Sequence, residues 1–185
     1  MNQADAELAR RWAERGDRAA MKTLYDRHAQ KVYAFARGMT GNGETALEVV
    51  QETFLRAAKA CGRFRGRSQF STWLLSVARS VVFDFGRSAA RRARDADLDP
   101  PARNNPGPNE DLDSRELTES VRRAVMRLPD SERAAVTLCE LQELPLAEAA
   151  AVLGWKVGRL KSTLFRARGR LKQELAPYIT QGARR

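Results

Sequence analysis

The side chains that could do chemistry in this chain are suited to recognition rather than to making or breaking bonds. Near the C-terminus, Arg159, Lys161, Ser162, Thr163, Arg166, Arg170 and Lys172 recur at helical spacing opposite Leu160, Leu164, Ala167, Leu171 and Leu175. A helix fits the major groove of duplex DNA. There arginine can bond bidentately to guanine, serine and threonine can meet bases or phosphates, and lysine serves mainly as a phosphate contact. Because the N-terminal side chains of such a helix are the ones that reach base edges, the reading set is Arg159, Lys161, Ser162, Thr163 and Arg166. Taken alone, the pattern is better explained as the solvated basic face of a bundle helix. The preceding segment changes that: a short apolar helix opened by Pro145 and ending at Leu153, then a turn at Gly154, complete a helix-turn-helix.

A second set lies about ninety residues upstream, where arginines from Arg63 to Arg87 interleave with Phe64, Phe70, Trp73 and Phe83. Cations that follow a backbone and rings on which bases stack suit single-stranded nucleic acid, at roughly 1–3 kcal/mol per stacked base. Phe70, Trp73 and Phe85, each taken alone, read as plain core residues. Phe64 and the loop arginines do not, since the glycine-flanked loop Gly62-Arg63-Phe64-Arg65-Gly66-Arg67 offers them little core to fill. A catalytic site would need convergent acid, base or nucleophile positions, and none stands out. The lone His28 sits in a helix as a packed or surface residue, and Gly41-Asn42-Gly43 reads as a turn between helices rather than a phosphate loop. Cys61 and Cys139 each lie in an apolar helical pattern, and read as small core residues of a reduced protein rather than as metal ligands or a disulfide. The expectation is therefore no enzyme, no cofactor and no metal.

The elements that must hold these two sets are helices, because every periodic segment repeats at three and four rather than two. Asp17 caps a helix carrying Met21, Leu24, Tyr25, Val32, Phe35 and Met39. A second helix turns Leu47, Val50, Phe54 and Ala57 or Ala58 inward and exposes Glu44, Glu48, Gln51 and Glu52. A third, from about Ser71, buries Leu74, Val77, Val81 and Phe85. Beyond it, Asp113 and Glu116 are spaced as a capping box ahead of Leu117, Val121, Val125 and Leu128. Pro129 ends that helix, the next carries Ala134, Leu138 and Leu141, and the last runs from about Gly158 to Leu175, with Pro177 as its stop.

Residues 95–115 are acidic and hold four of the seven prolines, which reads as a linker between basic segments 1–94 and 116–185. The fold class is thus all-α, two small helical domains joined by a flexible linker, the C-terminal one a helix-turn-helix. A net charge of +10 and 43% apolar residues favour a folded protein with a polyanionic partner, nucleic acid ahead of an anionic membrane. Neither a span of roughly 20 apolar residues nor a signal-like N-terminus is visible, which points to the cytoplasm.

The segment LPDSERAAVTLCELQELPLAEAAAVLGWKVGRLKSTLFRARGRL resembles region 4 of bacterial sigma factors, through Leu128-Pro129, Arg133, Ala149, Leu153-Gly154, Val157-Gly158, Lys161-Ser162, Leu164 and Arg166-Ala167-Arg168. The resemblance implies recognition of the minus-thirty-five promoter element and adds Lys156 to the reading set. Lys156 stands where the family has a serine cap, Arg159 where it has threonine and Thr163 where it has arginine, which implies an altered element. Residues 19–94 resemble region 2, through Leu24-Tyr25, Val32-Tyr33, Val50-Gln51-Glu52-Thr53-Phe54-Leu55-Arg56-Ala57, Arg63-Phe64-Arg65-Gly66, Ser68, Phe70, Thr72-Trp73-Leu74, Ala78-Arg79 and Asp84.

Region 2 implies promoter opening and capture of the displaced minus-ten strand, with a flipped-out base accepted by the loop from about Gly62 to Ser68. The implied minus-ten set is Arg63, Phe64, Arg65, Ser68, Phe70, Trp73, Arg79, Ser80, Asp84 and Arg87, with Ser80 in place of a common asparagine. Glu48, Gln51 and Glu52 match the segment that docks on a coiled coil of the polymerase clamp. With only an acidic linker between the domains and no long acidic N-terminal extension, the chain resembles the extracytoplasmic-function (ECF) group of the sigma-70 family. Its members commonly answer an envelope or stress signal under an anti-sigma factor. The rival expectation is a helix-turn-helix regulator that binds duplex DNA without polymerase, which leaves the Glu48 face and the aromatic loop unexplained.

Overall fold

The computed structural model describes residues 3–95 and 112–182. Residues 96–111 of the expected linker and the side chains of the Asp113–Glu116 capping box lie outside the described residues. Among the described residues all regular structure is helical: α1 (Gln3–Arg15), α2 (Arg18–Thr40), α3 (Gly43–Ala60), α4 (Phe70–Asp95), α5 (Leu112–Arg127), α6 (Asp130–Val136), α7 (Leu146–Leu153) and α8 (Val157–Gly182). A 3₁₀ turn, Cys61–Arg63, leads out of α3, and α6 widens into a π-helical turn, Thr137–Leu141.

The helix ends follow local chemistry. The Asp17 carboxylate accepts the Ala19 and Ala20 N–H groups at 2.9 and 3.0 Å, and Asn42 Oδ1 accepts the Thr45 N–H at 2.9 Å. These are side-chain caps worth about 1 kcal/mol each. Gly41 and Gly154, at φ +68° and +66°, end α2 and α7 in the left-handed conformation that glycine adopts without a Cβ penalty.

Leu24, Phe35, Val49, Phe54, Leu74 and Val81 form the centre of an α2–α3–α4 bundle, with α1 laid against α2 and the Cys61 turn. Leu138, Val152, Leu153, Leu160 and Leu164 are buried where α6, α7 and α8 meet. The two groups share one apolar core, because α7 packs on α4, and α5 and α6 pack on α2. Thr72 and Gln69, at the start of α4, donate to the Glu148 carboxylate of α7 at 3.4 and 3.3 Å. The half-buried Arg133 donates to Met39 O at 2.9 Å and to Leu128 O at 3.0 Å, tying the end of α2 to the α5–α6 junction.

That second packing surface explains where the expected core departs from the observed one. Leu75, Ala78 and Val82 are buried, whereas Val77 and Phe85 are only half-buried; Leu75 and Val82 lie on the Thr72 side of α4, the side that meets α7. Leu47 is 56% exposed, one step off the Ala46-Val49-Val50-Thr53 stripe, and Leu141 is carried outward where the π turn alters the register. Tyr25 lies at the rim with its ring 4.8 Å from Phe54. Helix α8 does not stop at Pro177 but continues to Gly182, past the part that packs on α6 and α7; the proline forfeits only one backbone bond there.

Gly38 sits where α2 packs on the π turn, and an added Cβ there would meet Thr137 Cγ2 at 2.6 Å. Helix propensity alone predicts that Gly38→Ala stabilises by about 1 kcal/mol. The overpacked contact instead predicts a loss of about 1–3 kcal/mol in thermal or urea unfolding, partly restored by Thr137→Ala. A stabilised single variant would contradict the packing of α2 on the α6–π turn.

Candidate nucleic-acid interface

Helix α7 buries Ala149, Ala150, Val152 and Leu153, and its end is closed by the Gly154 and Trp155 N–H groups, donated to Ala151 O and Ala150 O. The turn is short, so α8 starts against α7 and buries Leu160, Thr163, Leu164 and Ala167. Lys156, Arg159, Lys161, Ser162 and Arg166 are exposed together on the other side. The Arg159 guanidinium lies over the Trp155 ring, 4.3 Å from its centroid, a cation–π contact that narrows the positions it can sample. Ser162 donates to Arg159 O at 3.0 Å, leaving its oxygen as an acceptor.

Thr163 departs from the expected reading set. It is only 2% exposed and its hydroxyl faces Arg166 Nη2 at 3.4 Å, because position 163 falls on the stripe that packs with Leu160 and Ala167. Phe165 takes a place on the outer face instead: it is 80% exposed, four residues beyond Lys161. Helical spacing from Lys161 and Ser162 would have found it; attention to cations passed it over. An apolar group there can meet a thymine methyl in the major groove.

At the other site, Cys61 anchors the loop by donating its thiol to Ala9 O at 3.1 Å, and burial pushes that thiol up to about 11, so it stays protonated. The Phe64 N–H donates to Cys61 O and Gly66 turns the chain at φ +63°. Phe64 is not free in solvent: its ring stands edge-on to Phe70 at 5.5 Å and tilted to Trp73 at 5.3 Å, with Phe70 and Trp73 5.4 Å apart. Phe70 is fully buried and supports the other two rings. Arg63, Arg65 and Arg67 are exposed around this half-buried aromatic surface, with Ser68 beside them.

Beneath Phe70 lies the His28 ring, 5.3 Å away, and His28 Nε2 is 3.0 Å from Asp5 Oδ2 of α1. Asp5, itself buried, also accepts from Arg27 at 2.7 Å. This support for the loop was not legible in the sequence.

Further along α4, Arg79 stacks over Phe83 at 5.4 Å, and Ser80 is exposed with its hydroxyl donated to Ser76 O. Asp84 is held between Arg56, at 2.5 Å, and Arg87, and the Arg56 bond above all keeps its carboxyl below the ordinary range. Asp84 thus links α3 to α4, with Arg87 bracing it from one turn further along α4, and both stand apart from the aromatic loop, about 17–21 Å along a helix rising 1.5 Å per residue from Trp73. On α3, Glu48 and Gln51 are exposed and Glu52 accepts from Arg56 at 2.7 Å. Leu47 and Leu55, 56% and 59% exposed, flank these polar groups and give the face an apolar component that its charges had hidden.

Among the described residues, no group of His, Cys, Asp and Glu is placed to hold a metal ion and no helix is long and apolar enough to cross a membrane. The Sigma-70 region 2 family matches residues 24–92, and the Sigma-70, region 4 family matches residues 118–171. The chain is 32% identical over 176 residues to the ECF RNA polymerase sigma-E factor of Escherichia coli (strain K12), covering 90% of this chain and 92% of that one. It is 28% identical over 187 residues to the RNA polymerase sigma-H factor of Pseudomonas aeruginosa, covering 96% of each. Among solved structures, CnrH in complex with the cytosolic domain of CnrY aligns with a TM-score of 0.70 at 26% identity, over 94% of this chain and 98% of that one.

Burial pushes the His28 imidazole below its ordinary value of 6.5, with Lys31 and Arg27 acting in the same direction and Asp5 opposing them. The folded protein therefore favours neutral His28, so as pH falls through 6.5 the unfolded chain takes up the proton first. The stability from His28 is present above that pH and lost below it. Because His28 is the chain's one histidine, this window is nearly free of other side-chain titrations. Thermal unfolding between about pH 7.5 and 5.5 is expected to show a falling Tm that His28→Gln flattens; an equal slope in the variant would contradict this account.

Proposed function

We propose that this chain, which belongs to the sigma-70 family of RNA polymerase sigma factors and to its ECF group, divides promoter reading between α8 and the loop that precedes α4. Sigma factors are not enzymes: they bind core RNA polymerase and direct promoter-specific initiation, so the work of the chain lies in its surfaces. In this reading Lys156, Arg159, Lys161, Ser162 and Arg166, joined by Phe165, meet the minus-thirty-five element in the major groove. The loop residues Arg63, Phe64, Arg65 and Ser68, with Trp73 beside them, take up a base of the opened minus-ten strand. Arg79 and Ser80 continue that strand's path along α4. Phe70 serves the same path from within by supporting the rings, Asp84 by holding Arg56 of α3, and Arg87 from the exposed face of α4 beside Asp84.

The α3 face is the polymerase contact, with Glu48, Gln51 and Glu52 as its polar groups and Leu47 and Leu55 as its apolar flanks, docking on the clamp coiled coil. The chain works on polymerase in the cytoplasm, restrained until needed by an anti-sigma factor that can tether it to the inner membrane. In support, the similar protein CnrH is found in complex with the cytosolic domain of another protein, CnrY.

The observation that carries this reading is the pairing of two recognition surfaces of different kinds in one chain. One is a solvent-facing cationic helix suited to a duplex groove. The other is a half-buried aromatic surface ringed by arginines, suited to unstacked bases. A duplex-only regulator has no use for the second.

Phe64→Ala is expected to spare holoenzyme binding to duplex promoter and to weaken opening by about 1–3 kcal/mol, the worth of one stacked base. The readout is permanganate reactivity of thymines near the start site. Unchanged reactivity would leave Phe64 a packing residue only.

A further inference from the structure

Glu132 is a charged residue in an apolar place. It is 4% exposed at the start of α6, next to the buried Ala134, Ala135 and Val136, where a leucine would satisfy the core without the expense of desolvating a carboxylate. Its two oxygens are turned toward α8. Arg166 Nε lies 3.7 Å from Oε1, and Arg170 Nε lies 3.1 Å from Oε2, an ion pair without hydrogen-bond alignment. Both arginine side chains are 59% exposed, so the carboxylate meets them from the protein side while solvent meets them from the other.

A guanidinium has five N–H donors in a rigid plane. When Nε lies on the side of a buried carboxylate, the attraction biases the guanidinium toward one orientation and leaves N–H donors of the terminal nitrogens toward solvent; at 3.7 Å for Arg166 it is an ion pair and not a hydrogen bond. For Arg166 a second restraint comes from Nη2, 3.4 Å from the buried Thr163 hydroxyl. An arginine held in this way is suited to two parallel bonds to one base edge. One free to follow the nearest phosphate carries no sequence information.

We propose that Glu132 is a positioning residue for promoter specificity. From beneath α8 it holds Arg166 in the orientation that reads one base pair of the minus-thirty-five element, and it partly neutralises Arg166 and Arg170 so that neither is drawn to arbitrary phosphate. The proposal rests on the reading of α8 as the minus-thirty-five helix. Its consequence is opposite in sign for the two modes of binding: loss of the carboxylate strengthens non-specific association, since one more uncompensated cation is available to the backbone, while it weakens discrimination at one position.

The test uses the full chain in holoenzyme with core RNA polymerase, bound to a pool of promoter duplexes randomised across the upstream element and sequenced after capture. Wild type, Glu132→Gln, Arg166→Ala, Arg170→Ala and the Glu132→Gln/Arg166→Ala pair are compared. Glu132→Gln is expected to flatten preference about tenfold at the single position that Arg166→Ala also flattens, with the double variant no flatter there than Arg166→Ala. Binding to scrambled duplex is expected to rise in Glu132→Gln, whereas Arg170→Ala weakens all sequences alike. Preference left intact in Glu132→Gln, or lowered evenly at every position together with a lower Tm, would overturn the proposal by making Glu132 irrelevant or merely structural. If Arg166→Ala itself flattens no position, the reading of α8 fails first and the role of Glu132 falls with it.

Discussion

Helix α4 has to bury apolar side chains on two sides at once. Leu74 and Val81 belong to the bundle made with α2 and α3, while Leu75 and Val82 share the side of Thr72, whose hydroxyl donates to Glu148 of α7. Removing either cover would leave a stripe of leucine and valine in water, at roughly 1.5–3 kcal/mol per side chain. The aromatic loop is built on the first turn of this helix, through Phe70 and Trp73, and the helix-turn-helix is packed against it through α7. Both recognition surfaces therefore take their position from α4. The tight fit of Gly38 on Thr137 and the Arg133 bond to Met39 O fix the same relation from the side of α2.

Charge is organised within that frame rather than spread over it. A chain with 33 Lys/Arg and 23 Asp/Glu could present a uniform basic field, good for non-specific adhesion to any polyanion. Instead several carboxylates lie where they hold particular arginines: Asp84 on Arg56 and Arg87, Glu140 on Arg168, Glu132 on Arg166 and Arg170. The first links two helices, the second pins α8 to the π turn, and the third lies under the reading face. The partly exposed Asp84 and Glu140 pairs contribute little to stability, so their effect is chiefly on where a guanidinium stands, whereas Glu132 is itself buried and meets its arginines from the protein side. Around the loop, by contrast, Arg63, Arg65 and Arg67 are exposed beside rings, the arrangement that suits a flexible single strand.

Much of this was legible in the sequence where local chemistry decides. Asp17, Asn42, Gly41 and Gly154 mark helix ends because caps and left-handed turns are properties of a few neighbouring residues, and the basic face of α8 follows from a period of 3.6. The family motifs marked the two segments, residues 24–92 and 118–171, that match Sigma-70 regions 2 and 4. What stayed hidden depends on contacts between residues far apart in the chain. The second stripe on α4 needs α7; the outward placement of Leu47 and Leu141 needs knowledge of which stripe has a partner; the burial of Asp5 and Glu132 needs the histidine and arginines that receive them. Thr163 shows the same limit at the site itself: a hydroxyl on a basic helix reads as a base contact until the packing of α8 turns it inward.

One chain, bound to polymerase, reads two upstream elements: that is the central claim. The most direct measurement is transcription of a fragmented genomic template by bacterial core RNA polymerase, with and without the protein, with every new RNA start mapped. The account predicts defined starts that appear only with the protein and share two sequence elements at a constant separation, one in the duplex upstream and one within the opened stretch. Starts that share a single element, or no new starts from a preparation that still binds a specific duplex, would contradict it and leave a regulator that acts without polymerase.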